Sequence, residues 1–231
     1  MRVCRVGLWC EIVISLCLVS FCAFVAAQDS GQSSSSKHTK SSTARLVPEI
    51  DAGTVVKGVY RNRALALTCK IPAGWVLRTE EMNARDEKGE AEDTAPDHPQ
   101  PSQQDKRAGK VLLAAYSRPP DAKGEEVNAS IMIAAESVEN YPGMKEAAQY
   151  FYPLTEVAKA QGFEPDEDPY AIAQGSKTLV RGDFHKDVGS RVMHQSTLVF
   201  LAHGYAVSIT VIGGTDDEVE DLVDGVSFSA K

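Results

Sequence analysis

Downstream of residue 55 most of the chain alternates apolar and polar residues with a period of two, the mark of strands that turn one face to a core. Gly58–Asn62 and Leu65–Ile71 read as a hairpin, and the second strand places Leu65, Leu67, Cys69 and Ile71 on one face. Val111–Tyr116 and Ala129–Ser137 follow as strands. The period then changes. Met144, Ala147, Ala148, Phe151, Leu154 and Ala158 recur at three- and four-residue spacing, so they form one apolar stripe of a helix introduced by Pro142 and closed by Gly162. Pro153 removes a backbone donor inside that stretch and predicts a kink.

Four more strands are predicted at Tyr170–Gln174, Lys177–His185, Arg191–Ala202 and Tyr205–Ile212. His203-Gly204 is a two-residue turn that pairs Phe200 with Val207, Leu198 with Ile209 and Thr197 with Thr210. The loop Lys186–Ser190 would pair His185 with Arg191. A last helix starts at Thr215 as N-cap with Glu218 three residues on, a capping box, and buries Val219, Leu222, Val223 and Val226. Runs of strands with only two helices predict an α+β fold, an α/β/α sandwich in which helices flank a mainly antiparallel sheet.

Two segments break the periodicity. Gln28–Ala44 holds seven serines and no large apolar residue, and residues 28–54 are expected to be a flexible linker. Thr79–Lys110 is rich in charge and proline and is expected to be a mobile insert in a single domain spanning 55–231.

Ahead of the linker, Arg2 and Arg5 precede sixteen uncharged residues, Ile12–Ala27, that end in Val25-Ala26-Ala27. This is the layout of a secretory signal peptide cleaved after Ala27, so the mature chain is expected to be secreted or periplasmic. An uncleaved anchor starting near Val6, or lipidation at Cys22, would instead hold it on a membrane. Cleavage removes Cys4, Cys10, Cys17 and Cys22 and leaves Cys69 alone, which rules out an internal disulfide. It also removes two positive charges and one negative, taking the formal charge from −8 to −9. Such a balance argues against nucleic acid as a partner.

The order of elements, with Gly58-Val59-Tyr60-Arg61-Asn62, Leu65-Ala66-Leu67 and Ile71-Pro72-Ala73-Gly74-Trp75, resembles the PsbP-like superfamily over residues 55–231. Its pattern is a short strand ending in Tyr-x-Asn, an apolar strand, then Pro-x-Gly-Trp. The resemblance implies an α/β/α sandwich used as a scaffold for binding and assembly, as in an extrinsic subunit of the oxygen-evolving complex and a nuclear import factor. The charged insert Thr79–Lys110 departs from the pattern, and no functional residue is transferred.

The sequence contains no Gly-x-Ser-x-Gly elbow, no phosphate-binding Gly-x-x-x-x-Gly-Lys loop, no dinucleotide turn and no His-Glu-x-x-His. Cys69 shares a face with Leu65 and Leu67, where a thiol stays protonated. Asp183, His185 and His194 suit a divalent ion by type, but the expected register puts His194 on the opposite face from the other two. Glu156, Lys159, Asp166, Glu167 and Asp168 read as a solvated surface. No catalytic, cofactor-binding or metal site is therefore expected, and no cofactor. The expected role is non-catalytic binding of a protein partner in the envelope. A carrier of a small or apolar ligand, with its cavity between sheet and helix, is the alternative, and an enzyme the third reading.

Overall fold

The computed structural model describes residues 49–84, 109–119, 122 and 126–229. The chain divides into residues 1–44 and 45–231, and everything below concerns the second unit. The expected signal peptide, 1–27, the expected tether, 28–44, and residues 85–108 of the expected insert lie outside the described residues.

The fold is α+β, built from antiparallel pairs only among the described strands. β1 (Thr54–Val56), β2 (Val59–Asn62), β3 (Leu67–Lys70) and β12 (Val226–Phe228) make a four-stranded sheet in the order β1-β2-β3-β12. The larger sheet contains β4 (Val76–Leu77), β5 (Lys110–Tyr116), β6 (Ser130–Ser137), β7 (Glu164–Pro165), β8 (Tyr170–Gln174), β9 (Lys177–Val188), β10 (Arg191–Ala202) and β11 (Tyr205–Gly213). Its order is β4-β5-β6-β11-β10-β9-β7, with β8 also paired to β9.

Alternation along these strands supplies two cores, one on each face of the larger sheet. On one face Leu113, Ile133, Leu198, Phe200 and Ile209 pack with Leu65, Leu67, Cys69 and Phe228 of the small sheet, and with Val219, Leu222 and Val223 of the C-terminal helix Asp216–Asp224. The outer layer on this side is therefore a sheet and a helix together. On the other face Phe184, Val199 and Ala206 meet Phe151, Ala158 and Phe163, which belong to the helix Phe151–Ala160 and its exit. Each fully buried Leu, Ile or Phe in these clusters contributes about 1.5–3 kcal/mol.

The two-residue hairpin between β10 and β11 has the expected register, with Phe200 opposite Val207, Leu198 opposite Ile209 and Thr197 opposite Thr210. His203 and Gly204 both have positive φ, 53° and 84°, which matches the right-handed twist of the flanking strands.

Four expectations differ from the structure. The expected linker ends early, since Ile50 is buried in the main core and Ala52 accepts a hydrogen bond from the Tyr60 hydroxyl at 3.0 Å. The expected insert starts late: residues 79–84 are helical, Thr79 Oγ1 accepts from the Ala114 amide at 2.9 Å, and Asn83 exchanges two hydrogen bonds of 3.0 Å with the Val111 backbone. Pro153 does not kink the helix. A short 3-10 turn, Ala147–Tyr150, leads into an α-helix that begins at Phe151, so Pro153 falls in the first turn, where its missing N–H has no partner to lose. Val226 leaves the C-terminal helix and opens β12 opposite Cys69.

The fifth difference moves a candidate site. β9 and β10 are joined by a tight turn at Gly189-Ser190, with Val188 opposite Arg191, so His185 stands opposite His194 and not Arg191. An odd slip in register exchanges the faces of a strand. Asp183, His185 and His194 therefore share one face after all.

Candidate functional site

The shared face does not assemble Asp183, His185 and His194 into one site, because each takes its own partner. Asp183 accepts from the Tyr170 hydroxyl at 2.7 Å and from Arg181 Nε at 2.9 Å, and Arg181 Nη1 also binds Glu220 of the C-terminal helix at 3.0 Å. Burial works against the charge of Arg181, but the hydrogen bonds to Glu220 and Asp183 outweigh it and raise its pKa. The Tyr170 hydroxyl is pushed up to about 12, by burial first and then by its bond to Asp183. His185 Nδ1 lies 2.5 Å from Asp166 Oδ1, and His194 Nδ1 lies 2.7 Å from Asp216 Oδ1. Among the described residues no group of three or more His, Cys, Asp or Glu is placed to hold a metal ion.

The motif residues act structurally. Asn62 is buried, donates through Nδ2 to the Asp51 carbonyl at 2.6 Å and accepts the Leu65 amide at 3.0 Å, so it ties the N-terminal segment to the β2–β3 turn. Trp75 follows Gly74, whose φ is 84°, and packs on the main core. Cys69 is wholly buried, and burial pushes its thiol up to about 12, far from a reactive thiolate.

The arrangement best suited to binding is a cleft of about 280 Å³ between the helix Phe151–Ala160 and the larger sheet. Phe151 and Ala158 hold the helix against β9 and β10, while Leu154 and Val157 form the wall of the cleft. Its floor is polar. Gln195 and Thr197 of β10 and Ser208 and Thr210 of β11 point from the sheet into the cleft, on a face otherwise lined by Val199, Ala206 and Phe184. Thr197 Oγ1 and Thr210 Oγ1 are 3.2 Å apart, and Gln195 Nε2 donates to Thr197 at 3.3 Å. Sequence reasoning finds the Thr197–Thr210 pair by register and places a carrier's cavity between sheet and helix, but it does not find that these polar side chains floor it.

Glu136 of β6 and Tyr150 close one end. Glu136 Oε2 accepts from the Tyr150 hydroxyl at 2.6 Å and from the Tyr141 hydroxyl at 2.9 Å. The Tyr141 and Tyr150 rings meet edge to face with centroids 5.3 Å apart. Burial first, then the bond to Glu136, drives the Tyr150 hydroxyl well above its ordinary pKa, so it remains the donor. Nothing in the spacing of Glu136, Tyr141 and Tyr150 along the sequence signals that they converge.

A hollow of about 450 Å³ lies beside Lys159, Phe163 and Glu164, and two more that also exceed the cleft lie elsewhere. One, of about 490 Å³, is bordered by Ala64, Lys177 and His203, where the imidazole Nε2 is 2.9 Å from the Ala64 carbonyl oxygen and Lys177 Nζ sits 3.9 Å from the centroid of Phe200. The other, of about 550 Å³, runs beside the exposed edge strand β1 and Arg78. Neither is floored by buried polar side chains on a core face.

These features define an α+β domain with a cleft between a helix and an antiparallel sheet. No family model and no curated protein matches the chain. Among solved structures, LpqN of Mycobacterium tuberculosis, described as involved in cell envelope biogenesis, is 14% identical, with 71% of this chain and 83% of that one covered and a TM-score of 0.34. PA94 from Pseudomonas aeruginosa, of unknown function and described as a possible regulator, is 16% identical over 54% of this chain and 78% of that one, with a TM-score of 0.32. A mutant of Mog1 is 12% identical over 69% and 79%, with a TM-score of 0.35. At these values the likeness carries no functional argument.

Proposed function

We propose that the protein is an exported, non-catalytic domain that works by binding a protein partner. The supporting observation is the outer side of the helix Phe151–Ala160, where Tyr152 is 79% exposed on an element anchored beneath by Phe151. Exposed aromatic residues on a rigid element are the usual anchors of interfaces. Among the described residues Cys69 is buried and its thiol is pushed up to about 12, so it offers no reactive thiolate. Affinity capture from the native envelope fraction, repeated with Tyr152→Ala, tests this. A partner recovered with the natural chain and lost with the variant is expected; recovery of the protein alone, with turnover of any substrate, would overturn it.

A second reading, a carrier of a small ligand, is favoured by the cleft over Gln195, Thr197, Ser208 and Thr210. No helix among the described residues is long and apolar enough to cross a membrane.

A further inference from the structure

We infer that the cleft under the helix Phe151–Ala160 is a site for a small organic amine in its protonated form, with Glu136 as the counter-charge; this rests on the carrier reading. Glu136 is half-buried at the end of the cleft, and its carboxylate is held in place by the hydroxyls of Tyr141 and Tyr150. Those hydroxyls orient the charge and partly solvate it, but they do not neutralise it. Among the described residues no lysine, arginine or histidine pairs with Glu136. A carboxylate against apolar walls is costly to leave without an opposite charge, and a bound cation offsets that cost.

The rest of the cleft sets the body of the ligand. Leu154, Val157 and Met132 offer apolar contact, while Ser208 and Thr210 offer hydroxyl groups that accept an N–H or pair with a second polar group. At about 280 Å³ the cleft lies at the small end of ligand pockets and suits a small organic molecule. An anion of that size would meet Glu136 with the wrong sign, and a neutral molecule would leave it unpaired.

The full chain is titrated at neutral pH with 2-phenylethylamine hydrochloride, with 2-phenylethanol and 3-phenylpropionate as neutral and anionic counterparts, by calorimetry and amide NMR. Saturable binding of the amine is expected, with shifts at Glu136, Leu154 and Ser208, at least about tenfold tighter than the alcohol, a gap that requires only one modest charge interaction. Glu136→Gln keeps an acceptor for both tyrosines and should erase that preference. Ala134→Leu, which fills the cleft, should abolish binding of all three probes with the circular dichroism spectrum unchanged. If alcohol and amine bind alike in the cleft, or if Glu136→Gln leaves the preference intact, the amine inference fails and the carrier reading stands. If none of the probes binds, or the shifts fall elsewhere, both fail.

Discussion

Phe151 occupies the space that a side chain at position 182 would need: a Cβ built on Gly182 would stand 2.5 Å from Cε1 of the Phe151 ring. This contact sets the helix Phe151–Ala160 on β9 and so fixes one wall of the cleft. Gly182→Ala is expected to destabilise the fold by about 1–3 kcal/mol, because neither a ring nor a strand backbone yields easily. Urea unfolding measures it. A midpoint equal to that of the natural chain would mean that the helix is not seated this way.

Asn62→Ala should cost about 1–3 kcal/mol, since it strands the buried Leu65 amide without a partner and removes the donor to the Asp51 carbonyl. Faster amide exchange at Leu65 than in the natural chain is the accompanying sign, and unchanged exchange would contradict the role.

Cys69 should resist alkylation in the native state. Its thiol is wholly buried and pushed up to about 12, so at pH 8 almost no thiolate is present. Mass mapping of the peptide that carries Cys69 after iodoacetamide treatment, with and without urea, is the check. Modification without urea would place the thiol at a surface.

His185 should titrate above its ordinary 6.5, because the hydrogen bond to Asp166 favours the imidazolium. A raised folded value makes the pair's contribution to stability complete below the unfolded value of about 6.5 and lost as pH rises through the folded one. An NMR titration should give His185 a higher midpoint than in Asp166→Asn. Equal midpoints would remove the pair.

Much of this fold was legible because alternation and turn chemistry are local. The β10–β11 register followed from His203-Gly204 and the apolar faces on either side of it. The β9–β10 register did not, since the sequence-based turn began at Lys186 and the strand in fact runs on to Val188. Lys186 and Asp187 are polar residues beyond the core, and a polar ribbon has no apolar face by which to count register. The same slip led to His194 being placed on the wrong face. Pro153 misled for a related reason: its effect depends on where the helix begins, and the 3-10 turn Ala147–Tyr150 moves that start to Phe151.

By itself the sequence determined eight of the strands, the apolar stripes of two helices, the burial of Cys69 and the α+β class, all of which follow from side-chain periods of two or about 3.6 along a continuous chain. Only the tertiary structure decided that a second sheet shares a layer with the C-terminal helix, that Asp183, His185 and His194 take separate partners, and that Glu136, Tyr141 and Tyr150 meet at the end of a polar-floored cleft. Those relationships depend on how distant surfaces pack, as the close approach of Phe151 to Gly182 does, and no local period encodes the distance between a helix and the sheet it covers.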